Sequence, residues 1–301
     1  MNISLSQLGR AVAILGLGLA AALSFAGVAG AQDQVKRGEY LARAGGCFSC
    51  HTDEANKGPE LAGGRAMKTP FGTFVTPNIT AERATGIGNW TDSQFLNALK
   101  RGVRPDGANY FPVFPYPTYT KMTDADALAI KAYLLSRPGV ARPNRPHDVG
   151  FPFSLRFLQF GWKLMFFTPG DWQDSPDKPA DYNRGGYLVE ALSHCGECHT
   201  PRNALGGLDR AKAFAGTRDG PEGSLVPNIT PDKETGIGPW TREELATLLK
   251  TAETPDFASV RKSMLEAIED GLKFLSKADR LAIATYILAQ KPIKNDLRKA
   301  P

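Results

Sequence analysis

Four cysteines, placed as Cys47-Phe48-Ser49-Cys50-His51 and Cys195-Gly196-Glu197-Cys198-His199, constrain this 301-residue chain more than any other feature. The pattern is C-x-x-C-H twice, and it uses every cysteine present. Two close cysteine pairs first suggest two disulfides or a four-thiolate zinc site. Neither explains a histidine directly after each pair. Haem does, because two thiols separated by two residues form thioethers to the two vinyl groups of one porphyrin, and the next imidazole projects to the iron. Cys47, Cys50, Cys195 and Cys198 are therefore the expected attachment points of two haem c groups, with His51 and His199 as proximal ligands.

Length suits two compact units of ordinary size. Residues 1–31 read as an export signal: Arg10 gives the positive start, Ala11 to Val28 an apolar run, and Ala29-Gly30-Ala31 a small-residue cleavage site. The competing reading is an uncleaved anchor, since the run approaches bilayer-spanning length. The formal charge is +5, and removing the signal takes away Arg10 and no acid, leaving +4. That excess is mild, and no basic block with interleaved aromatics marks a nucleic-acid partner.

The halves repeat. Arg37-Gly38-Glu39-Tyr40-Leu41 recurs as Arg184-Gly185-Gly186-Tyr187-Leu188, and Pro77-Asn78-Ile79-Thr80 as Pro227-Asn228-Ile229-Thr230. Thr85-Gly86-Ile87-Gly88 and Trp90-Thr91 match Thr235-Gly236-Ile237-Gly238 and Trp240-Thr241. Repetition within a haem unit favours a structural loop over a glycosylation acceptor for the Asn-Ile-Thr triplets. The glycines read as turn elements, because the full phosphate-loop pattern is missing. Short helices are expected over Gln94 to Lys100 and Glu243 to Lys250, with Thr91 and Thr241 as N-caps. Apolar residues at helical spacing place closing helices over Asp124 to Ser136 and Lys277 to Gln290. The expected fold is mainly α. Two similar domains, residues 32–140 and 181–301, each wrap a few helices around a haem, and an aromatic-rich linker, 141–180, joins them.

With these motifs in place, both halves resemble class I cytochrome c domains, and the chain is similar to the c-type cytochrome subunits of bacterial periplasmic alcohol and aldehyde dehydrogenases. The resemblance rests on the two C-x-x-C-H sites, the Asn-Ile-Thr to Gly-Ile-Gly-x-Trp runs, Phe114-Pro115-Tyr116-Pro117 and Ala191 to Asn203. It implies His/Met iron coordination. Met264, 36 residues after Asn228, stands where the family places its ligand for the second iron. The same count from Asn78 reaches Phe114, which cannot bind iron. Met122 is the alternative for the first iron, although it aligns with Leu275 at a core position, and Met67 is a poorer one. With neither bound, the first haem is five-coordinate or holds water.

The resemblance further implies a periplasmic electron carrier, not an enzyme. A dehydrogenase subunit would donate, and a soluble cytochrome, an oxidase or the quinone pool would accept. The rival is a dihaem peroxidase or thiosulfate-oxidising enzyme with an open first haem, and Phe114 is the feature on its side. Residues 141–180 carry Phe151, Phe153, Phe157, Phe160, Trp162, Phe166 and Phe167, interrupted by Arg156, Gln159 and Lys163. The charges argue against a spanning helix. The segment is expected to pack between the domains, the alternative being a patch facing a membrane or a partner subunit.

Overall fold

The computed structural model describes residues 30–297; the expected export signal, apart from its last two residues, lies outside them. No helix among the described residues is long and apolar enough to cross a membrane.

The first half contains α1 (30–44), α2 (Cys47–His51), α3 (Asp92–Arg101), α4 (Tyr116–Tyr119) and α5 (Asp124–Ser136). A two-stranded antiparallel hairpin, β1 (Ala66–Thr69) and β2 (Gly72–Val75), lies between α2 and α3. Helical periodicity gave no sign of it, because each strand has only four residues. The linker carries α6 (Leu158–Phe166). The second half contains α7 (Ala180–Tyr187), which continues as a π-helical stretch over Leu188–Leu192, then α8 (Cys195–His199), α9 (Arg242–Thr251), α10 (Lys262–Asp270) and α11 (Lys277–Leu288).

Helix starts follow their caps. Thr91 and Thr241 each accept from the backbone N–H three residues on, and Gln94 and Glu244 reach back to the cap N–H, closing a capping box at both α3 and α9. Thr123 and Ser276 cap the closing helices α5 and α11 in the same way, through the N–H groups of Asp126 and Asp279. Each opening helix crosses its closing helix at a glycine of the repeated Arg-Gly motif. A Cβ on Gly38 would lie 1.9 Å from the Ala129 oxygen, and one on Gly185 would lie 1.9 Å from the Ala282 oxygen. Only glycine permits backbones this close.

The apolar core is continuous across the halves: Leu41, Phe48, Met122 and Ile130 belong to the same cluster as Leu188, Leu192, Ile268 and Ile283. Polar contacts cross the boundary in matched pairs. The Tyr187 hydroxyl donates to Asp126 at 2.6 Å, and Asp126 also pairs with Arg37. The Tyr40 hydroxyl donates to Asp279 at 2.7 Å, and Asp279 also pairs with Arg184. Each half therefore lends a tyrosine to the other half's arginine–aspartate pair. The Arg43 guanidinium lies 4.4 Å from the Phe48 ring centre and 4.2 Å from that of Phe274, joining the halves again.

The linker helix packs between the halves and also keeps a bare apolar face. Trp162 donates to the Leu205 oxygen, and its ring meets Tyr116 edge-on at 6.4 Å, while Phe166 lies against Gly207. Both cations turn inward: Lys163 donates to the Arg101 and Gly102 oxygens and to Asn109, and Arg156 to the Asn109 oxygen. Phe157, Phe160, Leu164 and Met165 remain exposed.

Candidate functional site

Each cysteine pair sits on a single-turn helix entered from a left-handed residue, Gly46 (φ 69°) before α2 and His194 (φ 41°) before α8. One helical turn puts both thiols and the following histidine on adjoining faces. All four cysteines are unpaired. Burial pushes the thiols of Cys47 and Cys195 up to about 12 and that of Cys198 up to about 11, and it raises Cys50 as well. Among the described residues no group of three or more His, Cys, Asp or Glu side chains is arranged to hold a metal ion. Two thiols spaced for thioether formation, with a histidine directly after them, fit covalent haem.

The histidines are oriented by the repeated loop. His51 Nδ1 lies 2.8 Å from the Pro77 oxygen, and His199 Nδ1 lies 2.8 Å from the Pro227 oxygen. A carbonyl accepts only from a protonated nitrogen, so Nδ1 carries the hydrogen and Nε2 keeps the lone pair an iron requires. Burial lowers the proton affinity of both rings and keeps them neutral. The backbone is pinned as well: Gly63 N–H donates to the His51 oxygen and Gly216 N–H to the His199 oxygen, each at 2.7 Å.

The asparagine after each of these prolines locks the loop. Asn78 Oδ1 accepts from the N–H and hydroxyl of Thr80, and its amide donates to Thr85 and to the Val140 oxygen. Asn228 repeats this with Thr230, Thr235 and the Ile293 oxygen. Asn78 is 2 % exposed and Asn228 3 %, so neither side chain is open to a sugar. The repeat revealed these loops; their task of holding the histidines is visible only in the structure.

The expected sulfur ligands are placed unequally. Met264 lies in the first turn of α10, half-buried against the core. Met122 is fully buried just before α5, with its N–H donating to the Tyr119 oxygen. Its counterpart Leu275 is just as buried, so packing alone accounts for a large apolar side chain there. Phe114 packs against Tyr110 and Tyr119, at 5.3 and 5.8 Å between ring centres. Met67 lies on the hairpin, paired with Phe74 and away from these residues in the chain.

The structure also ties each cysteine-bearing helix to the opposite half. Arg65 donates to the Ser49 oxygen inside the first motif and pairs at 2.7 Å with Glu266, two residues after Met264. Thr118 donates to Glu197 inside the second motif. Neither cross-half contact, Arg65 with Glu266 or Thr118 with Glu197, has a short-range signal in the sequence, since the partners lie 79 or more positions apart.

The family model described as Cytochrome c matches residues 35–138. The chain is 40 % identical over 267 residues to a "Diheme cytochrome c-type" protein of Cereibacter sphaeroides, covering 87 % of each chain. It is 40 % identical over 255 residues to the fructose dehydrogenase cytochrome subunit of Gluconobacter japonicus, covering 84 % of this chain and 52 % of that one. It is 36 % identical over 281 residues to the cytochrome c subunit of the quinone alcohol dehydrogenase of Gluconobacter oxydans, covering 88 % of this chain and 57 % of that one. The chain thus spans about half the length of these two dehydrogenase subunits.

Proposed function

The chain belongs to the cytochrome c family, as a dihaem member with two covalently bound haem c groups, and on that premise we propose that it is an exported electron relay serving a dehydrogenase. In this reading Cys47 and Cys50 hold one haem and Cys195 and Cys198 the other, with His51 and His199 as the proximal ligands. The observation that carries it is the pair of matched centres. In each, two unpaired cysteines are followed by a histidine whose Nδ1 is tied to a proline carbonyl.

When bound, each haem supplies a one-electron Fe(III)/Fe(II) couple. The cysteines would anchor the porphyrin, and His51 and His199, with Nδ1 tied to a carbonyl, would offer Nε2 to its iron. Met264 is the proposed sixth ligand in the second half, and Met122 the candidate in the first, where Phe114 has no donor atom. A thioether opposite histidine raises the potential, which suits acceptance of electrons from a dehydrogenase.

Two of the relatives are by name cytochrome subunits of fructose and alcohol dehydrogenases; that likeness supports a dehydrogenase donor. A soluble cytochrome, an oxidase or the quinone pool is the proposed acceptor. Export to the periplasm rests on the apolar run before residue 29 and its small-residue site. The bare face of α6 supports association with a membrane or with the donor subunit.

The test is direct. Intact-mass measurement of the protein secreted by a host with haem-attachment machinery should show two porphyrins that survive acid-acetone. Replacing Cys195 and Cys198 with Ala should leave one. A bare polypeptide would overturn the proposal.

A further inference from the structure

The repeat has one departure at its chemical centre. Gly46 and His194 occupy equivalent positions, each immediately before the first cysteine of its motif and each left-handed. Glycine adopts that conformation freely, whereas a histidine there is strained and persists only where its surroundings demand it. The surroundings are the other motif: a Cβ built on Gly46 would lie 3.1 Å from Nε2 of His194. The imidazole therefore rests on the backbone one residue before Cys47, while its own backbone is bonded to Cys195. A Cβ at position 46 would require the ring to shift by a few tenths of an ångström.

The contact is enclosed and braced. Tyr119 meets the His194 ring edge-on at 5.9 Å, and its hydroxyl donates to the Gly45 oxygen at 2.5 Å. Leu192 lies against Gly45. Burial lowers the ring's proton affinity, outweighing the neighbouring Glu197 carboxylate, so the imidazole is neutral.

We propose that His194 is the bridge between the two redox centres: the imidazole joins the Cys195 attachment to the Gly46-Cys47 backbone and sets the electronic coupling between the haems. One electron leaves a ferrous iron and reduces the ferric iron of the other half, with no bond made or broken and no proton moved. His194 touches neither iron in this scheme; it is a positioning residue for the electron's route. The proposal rests on the electron-relay reading and adds the path.

The test is one-electron photoreduction of the full dihaem protein by a soluble flavin, followed optically as the electron redistributes between the haems. His194→Gly keeps the left-handed backbone, as Gly46 does in the first half, and removes the ring. His194→Asn tolerates the same backbone and restores part of the planar group. The expected result is slower interhaem transfer in His194→Gly, a smaller loss in His194→Asn, and unchanged midpoint potentials and reduced spectra in both. Wild-type speed in His194→Gly would overturn the bridge, and so would a loss that appears only together with shifted potentials. Absence of interhaem transfer in the wild-type chain would instead overturn the relay reading beneath it.

Discussion

Replacing Gly185 with Ala tests the helix crossing on which each half is built. The added Cβ would lie 1.9 Å from the Ala282 oxygen, 2.6 Å from its carbonyl carbon and 2.9 Å from the Tyr286 Cβ. Two of the three obstacles are backbone, so no rotamer change relieves them. To reach even a 3.0 Å contact, α7 and α11 must part by more than 1 Å, and gaps of that size forfeit about a quarter to a half of the dispersion well for atoms on both sides. Overpacking of this kind costs about 1–3 kcal/mol, and a clash with backbone belongs at the upper end. Alanine's better helix propensity returns about 1 kcal/mol. The net expectation is a loss of about 2 kcal/mol, set by the same two ranges. Gly161→Ala is the control: it lies within α6 with nothing inside 4 Å of an added Cβ, and only the propensity gain of about 0.5–1 kcal/mol applies. Guanidinium unfolding of the haem-loaded protein, followed by far-ultraviolet circular dichroism, reads both, with the midpoint falling in one variant and rising in the other. Gly38→Ala, whose Cβ would also lie 1.9 Å from a helix carbonyl, should match Gly185→Ala. A Gly185→Ala protein as stable as wild type would refute the close-crossing argument.

Met264→Ala should abolish the near-infrared sulfur-to-iron band of the second haem and lower its potential; persistence of the full band removes Met264 as ligand. Met122→Leu copies Leu275 in the other half, so the fold should hold while any sulfur ligation of the first iron is lost; an unchanged redox titration would mean that Met122 does not ligate. Tyr187→Phe removes a donor from Asp126, whose side chain is only 3 % exposed, and hydrogen bonds to charged groups are worth about 1.5–3 kcal/mol, so a loss in that range is expected by chemical denaturation. Burial opposes ionisation of Asp279, but hydrogen bonds from Arg184 and Tyr40 outweigh it and hold the carboxyl below its ordinary range. A depressed folded-state value means that its contribution is fully present above the unfolded carboxyl's titration and is lost as pH falls through the folded one. Asp279→Asn should therefore flatten the acid limb of a stability profile below about pH 4; an unchanged limb would refute that assignment.

The sequence by itself determined the chemistry of each centre and the duplication. C-x-x-C-H is a covalent requirement satisfied within five residues, and helix caps such as Thr91 and Thr241 act over three, so both are legible without a fold. The closing helix Asp124–Ser136 matched its periodicity end to end, while Lys277–Leu288 stopped two residues short of expectation. The sequence also showed Phe114 standing where a thioether was expected. What only the tertiary structure decided is how the two halves meet. Tyr40 and Tyr187 sit in the repeated Arg-Gly motif, yet each serves the other half's aspartate, and His194 leans on Gly46 at a distance of 148 positions in the chain. Local pattern fixes what a residue can do over a few bonds. Which distant partner it meets depends on the packing of a core shared by both halves, and no short-range spacing encodes that.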